Sequence, residues 1–264
     1  RGGGMHVNLP NALSDAPYAV TLSNVQFDSN GITSDGAATG GLLARGGALS
    51  ISDNTWVYLD QVTFNANTAI NTVAGQAMGG GLYTSGYVNM LLGSFIANTV
   101  DARDAQNAFG GALSNSKVLS STQTTINKVI FEANGADDGA AIYNKNAEVV
   151  VGNSIFFGNQ ASDDGGVYHG AAPNGRVRFA HSTMAFNRDT ETTNAAAGIF
   201  VSSGVAEVTG SIIVNNDGGD LFQSGGTLSL ENSAYETKAG TITEIGGGIF
   251  DLETYDIGFV STAN

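Results

Sequence analysis

Val149–Asn159 reads VVVGNSIFFGN, and its spacing decides the fold. Val149 and Val151 sit two apart, Ser154 follows, then Phe156, and the stretch closes on Asn159. The frame recurs in Val20-Leu22-Val25-Phe27-Asn30, Val57-Leu59-Val62-Phe64-Asn67, Val88-Met90-Gly93-Phe95-Asn98 and Thr124-Ile126-Val129-Phe131-Asn134. It continues in Val177-Phe179-Ser182-Met184-Asn187 and Ala206-Val208-Ser211-Ile213-Asn216, and in a degraded copy, Leu228-Leu230-Ser233-Tyr235, with Lys238 in place of Asn.

A shorter signature of small residues leading into an aliphatic one precedes most copies. It appears as Gly2-Gly3-Gly4-Met5, Gly46-Gly47-Ala48-Leu49, Gly79-Gly80-Gly81-Leu82, Gly110-Gly111-Ala112-Leu113, Gly139-Ala140-Ala141-Ile142, Gly165-Gly166-Val167, Gly198-Ile199 and Gly246-Gly247-Gly248-Ile249. Two linked signatures in fixed order mark a repeat protein.

Alternation such as Val57-x-Leu59 and Val62-x-Phe64 has the period of a strand with one buried face. Three short strands per coil follow: one after the glycines, then one for each leg of the frame. Stacked in register, such coils predict an all-β, right-handed parallel β-helix solenoid of about eight to nine coils. Residues 1–240 would form the repeats, and 241–264 an irregular last coil, a cap or the start of a following module. Because the chain opens inside a copy, an excised part of a longer, secreted precursor is expected.

Composition agrees with one solenoid. The chain has 264 residues, 37 glycines, 3 prolines and 13% charged residues, which argues against disorder and against a helical array. Its formal charge of −14 disfavours nucleic acid and anionic membranes as partners. There is no cysteine to form a disulfide or a thiolate site, and no apolar run long enough for membrane insertion.

Within this frame Phe27, Phe64, Phe95, Phe131 and Phe156 would stack inside, continued by Met184, Ile213 and Tyr235. Asn30, Asn67, Asn98, Asn134, Asn159, Asn187 and Asn216 would form a structural ladder of carboxamides, at bends where asparagine tolerates a left-handed backbone. Long connections from Asn30 to Gly46, Asn67 to Gly79 and Asn98 to Gly110, against short ones after Asn134 and Asn159, would leave a wall beside a lower shelf.

The residue after each first-strand aliphatic should point outward. From Tyr83 onward these include Tyr143, Tyr168, Phe200, Phe222 and Phe250, an aromatic stripe suited to a glycan or a surface protein. Ile130, Ile155 and Ile212 form a second outward column. Asp137-Asp138 and Asp163-Asp164 fall at matching bends of neighbouring coils, where calcium is the candidate cation. Solvated bend aspartates, with no cofactor, are the simpler reading. Asp163, Asp164, His169, Arg176 and Arg178 are the acid–base set within one coil on which a polysaccharide lyase or glycoside hydrolase would depend. His6 and His181 lack partners at metal-ligand spacing.

The G-G-A-[IL] and F-x-x-N pair, as in Gly46–Leu49, Gly110–Leu113, Phe64–Asn67 and Phe131–Asn134, resembles the repeats of chlamydial polymorphic outer-membrane proteins. More broadly it is similar to bacterial right-handed β-helix repeat proteins of the cell surface. That resemblance spans nearly the whole chain and implies the passenger part of an autotransporter-like adhesin, extracellular or on the bacterial surface, with no catalytic residues to carry over. The expected function is therefore a non-catalytic structural or adhesive module. It would bind through loops and the aromatic stripe, or self-associate head to tail where strand edges are uncovered. The competing expectation is an enzyme acting on an extracellular polysaccharide.

Overall fold

The computed structural model describes residues 3–8, 19–35, 42–73, 75–102, 108–116, 123–191, 196–245 and 250–251. Among these residues there is no helix; the regular elements are all strands, arranged in three parallel sheets. Period-two spacing becomes period-two burial. In Glu148–Gly152 half-exposed and buried residues alternate, with Val149 and Val151 fully buried.

The first sheet has nine strands, seven of them just after a small-residue signature, from Met5–Val7, Leu49–Ile51 and Leu82–Thr84 through Leu113–Asn115, Ile142–Asn144 and Tyr168–Gly170 to Ile199–Val201, followed by Leu221–Gln223 and Lys238–Ala239. The second sheet, of fifteen strands, holds both legs of the repeated frame. In Trp56–Asn65, Tyr87–Ile96 and Gln123–Glu132 the legs are one ten-residue strand, bent where Gln61, Leu92 and Lys128 take positive φ of 53°, 54° and 57°. Further on they separate into pairs such as Glu148–Gly152 and Ile155–Phe157, with Asn153 left-handed between them. The two legs predicted as separate strands thus belong to one sheet.

The third sheet is one that the spacing does not predict. It is built from connections expected to be loops: Gly31–Ser34, Thr68–Asn71, Thr99–Ala102, Gly135–Asp138, Gln160–Asp164 and Arg188–Asp189, with Leu42–Arg45, Gly75–Met78 and Ala108–Phe109 returning to the glycines. Residues 36–41, 74 and 103–107 of the expected wall lie outside the described residues.

Equivalent residues of successive copies pair in parallel register. Phe27, Phe64, Phe95, Phe131, Phe156, Met184, Ile213 and Tyr235 form one column. The five phenylalanines stack at centroid separations of 5.1, 4.7, 5.0 and 4.6 Å with rings within 11° of parallel. Each buried ring contributes about 2 kcal/mol relative to exposure, so this column is a main stabilising contact of the core.

The asparagines lie beside it. Each Nδ2 donates to the next copy's Oδ1: Asn30 to Asn67 at 3.0 Å, Asn67 to Asn98 at 2.8 Å, Asn98 to Asn134 at 3.0 Å, Asn134 to Asn159 at 2.8 Å, and Asn159 to Asn187 and Asn187 to Asn216 both at 2.9 Å. Asn216 then donates to the Asp220 carboxylate at 2.7 Å, so Asp220 takes the place of the missing eighth asparagine. The left-handed residue at this bend is the one before the asparagine, as at Ala66, Ala97 and Ala133, with φ of 53°, 52° and 53°. The asparagines therefore supply carboxamides here, not backbone tolerance.

Candidate functional site

The glycine corner between the third and first sheets positions the polar and aromatic side chains that the sequence singles out. A left-handed glycine ends each approach: Gly139 has φ +58°, and a Cβ there would lie 2.5 Å from the Ile142 carbonyl oxygen, so only glycine fits. Just before these glycines, Arg45, Met78, Phe109, Asp138 and Asp164 pair in one column. Beyond them His6, Ser50, Tyr83, Ser114, Tyr143, His169, Phe200 and Phe222 pair in a second.

The columns meet across the corner with an offset of one copy. Arg45 lays its guanidinium 4.7 Å from the Tyr83 ring centroid. Phe109 stacks on Tyr143 at 4.5 Å. Asp138 Oδ1 lies 3.4 Å from His169 Nδ1. The corner is thus cationic at Arg45, aromatic in the middle and acidic at Asp138 and Asp164.

This arrangement corrects the exposed aromatic stripe. Tyr83 and Tyr143 are buried in a cluster with Met78 and Phe109, Phe200 is buried edge to face with His169, and Phe222 is half-buried against Phe200 at 5.2 Å. Tyr168 is only 1% exposed and belongs to the inward column, paired with Ile142 and Ile199. In its copy Val167 follows two glycines and sits where Ala141 sits in the copy before, which moves the outward place to His169. The side chain of Phe250 lies outside the described residues.

The acid–base set is brought together only in part: Asp164 and His169 meet at the corner, whereas Arg176 and Arg178 stand apart. Arg176 and Arg178 lie on the second sheet, where their guanidiniums grip the two oxygens of Glu207 at 2.7 and 2.8 Å. Burial pushes the Glu207 carboxyl up, but the bonds and charges of both arginines outweigh it and leave it below its usual value. Asp163 and Asp164 lie on the third sheet and His169 on the first.

The paired aspartates end third-sheet strands and are not solvated bends. Asp137 accepts the Ser162 hydroxyl at 2.8 Å and the Ala108 backbone N–H at 3.1 Å. Asp163 is raised by partial burial and by the charges of Asp138, Glu191 and Asp137, more than His169 lowers it. Burial carries Asp164 up to about 7, with Asp138, Asp163 and Glu191 adding to it against the lowering by His169. Burial and the charge of Asp138 raise the Tyr143 hydroxyl as well.

Asp138, Asp164 and His169 present three ligand atoms that all lie within 4.8 Å of one another. His169 Nε2 is 2.9 Å from the Ser202 hydroxyl, which bonds the Gly170 carbonyl at 3.0 Å. The contact between His169 Nδ1 and Asp138 Oδ1 has ion-pair distance but not hydrogen-bond alignment, so both atoms are buried without a hydrogen-bond partner. The sequence signal for this trio is faint, because its members come from two copies and only the sheet register unites them.

On the second sheet, Ile130 pairs with Ile155, Ile155 with Thr183, and Thr183 with Ile212. The three isoleucines are 43%, 48% and 42% exposed, and Phe157 and Phe186, also exposed, meet edge to face at 5.6 Å nearby in sequence. Comparison with family models, with curated proteins and with solved structures gave no match to this chain.

Proposed function

We propose that the chain is a right-handed parallel β-helix solenoid, displayed extracellularly or on a bacterial surface, that binds a protein partner and does not catalyse. Register pairing of equivalent residues from copy to copy supports the solenoid, and the connection rule for parallel strands supports the hand. The observation that carries the non-catalytic reading is the double engagement of Glu207 by Arg176 and Arg178, which holds both arginines on the second sheet, away from the Asp164–His169 pair at the corner of the other two. A lyase or hydrolase needs its acid and base within reach of one substrate bond.

Tyr83, Tyr143, Tyr168 and Phe200, expected to stack on sugar, are buried, whereas Ile130, Ile155 and Ile212 stand exposed in one column with Thr183. An exposed apolar strip on an acidic chain fits a protein surface better than an acidic glycan, which would meet the formal charge of −14. One observation favours the enzyme alternative, the Asp164 carboxyl held near pH 7 as a general acid requires.

The test is incubation with acidic and neutral polysaccharides, following bound glycan and newly released reducing or unsaturated ends. No released ends are expected. Ends released by the native chain and not by Asp164→Asn would establish the enzyme. Binding to a displayed surface that is lost in the triple variant Ile130→Lys, Ile155→Lys, Ile212→Lys is the companion result expected of a protein-binding strip.

A further inference from the structure

The Asp138–Asp164–His169 trio has no part in the binding surface proposed above, yet two of its members are buried ionisable groups. Asp138 and His169 are each 7% exposed, and each turns one atom without a hydrogen-bond partner toward the other. An imidazole has two ring nitrogens, and because the Ser202 hydroxyl donates its one proton to the Gly170 carbonyl, Nε2–H donates to Ser202 Oγ. Nδ1 is left facing a carboxylate oxygen at 3.4 Å without hydrogen-bond alignment, a separation that a shared cation fits.

The spacing itself suggests what fits. Two ligands held about 2.1 Å from a tetrahedral ion stand about 3.4 Å apart. Burying two carboxylates and an imidazole with no compensating charge is costly, and a divalent ion would offset both carboxylates. Calcium takes oxygen ligands, so an imidazole nitrogen in the set points away from it and toward an ion that accepts nitrogen and oxygen together. Asp137, expected from the sequence to share a calcium, is held by Ser162 and Ala108.

We propose that Asp138, Asp164 and His169 Nδ1 bind a divalent transition-metal ion of the zinc class, linking one repeat copy to the next at the glycine corner. Asp138 comes from one copy, and Asp164 and His169 from the following one, so the ion staples two neighbouring copies across the two sheets. Three protein ligands leave a fourth position for water or an external donor. Asp164, only partly buried, marks the way in. Ser202 fixes the ring through its other nitrogen, the role an outer partner has at a metal-bound histidine.

The experiment is titration of chelator-treated chain with zinc chloride by calorimetry, beside His169→Gln, Asp164→Asn and a calcium chloride titration of the native chain. One zinc per chain is expected, with affinity at least about tenfold weaker in either variant, since even loss of an outer partner has that effect. Zinc should also raise the melting temperature of the native chain and not of His169→Gln. Asp164→Asn, at a partly exposed position, keeps the test decisive should His169→Gln fold poorly. Equal zinc uptake by native chain and variants, no uptake by the native chain, or calcium held as tightly as zinc would each overturn the assignment.

Discussion

At the scale of single residues, the carboxamide ladder concentrates more hydrogen bonding per side chain than any other column described. Asn134 donates to Asn159 Oδ1 at 2.8 Å and to the Phe95 carbonyl at 3.0 Å, while its own Oδ1 accepts both the backbone N–H and the amide of Asn98 at 3.0 Å. Asn134→Ala leaves a buried N–H and a buried carbonyl without partners, at about 1–3 kcal/mol each, so urea unfolding should show a loss of about 3 kcal/mol. A loss under about 0.5 kcal/mol would mean that the ladder is not a stabilising feature. Asp189 makes the opposite point about buried polarity. Its carboxylate accepts the backbone N–H groups of Glu191 at 3.0 Å and Ala196 at 3.2 Å, yet burial outweighs them and carries its pKa up from 3.8 to about 6. Between those values the folded chain binds a proton that the unfolded chain has lost, so ionisation opposes folding. Stability from this group is therefore greatest below about pH 4 and falls as pH rises to about 6, by up to about 3 kcal/mol. Buried Asp220 and partly buried Asp163, also raised, share in the fall. Asp189→Asn should make it shallower, and unfolding midpoints at pH 4, 5 and 6.5 that decline equally in native chain and variant would refute this assignment.

At the scale of elements, legibility follows how many buried apolar positions a strand carries. The two legs of the second sheet hold two each, as in Val57-x-Leu59 and Val62-x-Phe64, and their alternation is plain in the sequence. The third-sheet strands that follow the asparagines hold about one, and a small one: Ala69 in Thr68–Asn71, Val100 in Thr99–Ala102, Ala136 in Gly135–Asp138, Ala161 in Gln160–Asp164. A single alanine among polar residues carries no period, so these strands look like loops until neighbouring copies align them. The serines of the frame were visible as a spacing but not as a role. In the structure Ser154, Ser182, Ser211 and Ser233 each accept a backbone N–H from the preceding copy, at 3.2, 3.3, 3.1 and 3.2 Å, which makes a second ladder. The corner is harder still. Its Asp138 shares a column with Met78 and Phe109, and its His169 with Tyr143 and Phe200, so neither position repeats a residue type that spacing could reveal. Tyr168 shows the same difficulty in reverse: without the pairing, nothing in Gly165-Gly166-Val167-Tyr168 says which of the last two residues takes the inward aliphatic place.

At the scale of the whole molecule, stability in a stack of like units is a sum of each unit's own terms and its contacts with neighbours, so it need not be uniform. The middle copies have every stabilising column in place. Leu82–Thr84, Leu113–Asn115 and Ile142–Asn144 are buried throughout, and the phenylalanine stack and both flanks of the asparagine ladder run past them. Towards the other end these features run out one by one. Rings give way to Met184 and Ile213 in the core column, the ladder closes on Asp220, and Lys238–Ala239 and Thr243–Ile245 are exposed at every residue. The ion pair of Lys238 with Glu244 is largely on the surface, where such a pair contributes little. Amide hydrogen exchange should therefore rank the strands, with protection at Leu82–Thr84 and Ile142–Asn144 exceeding that at Lys238–Ala239 and Thr243–Ile245 by about a thousandfold or more, a gap of about 4 kcal/mol in local opening. Protection equal at both places would mean that the copies unfold as one cooperative unit, so that the exposed strands of residues 238–245 draw their stability from the distant core. A steep fall would mean instead that the molecule opens from residues 238–245 inward, with the corner at Asp138 and His169 inside the part that stays closed.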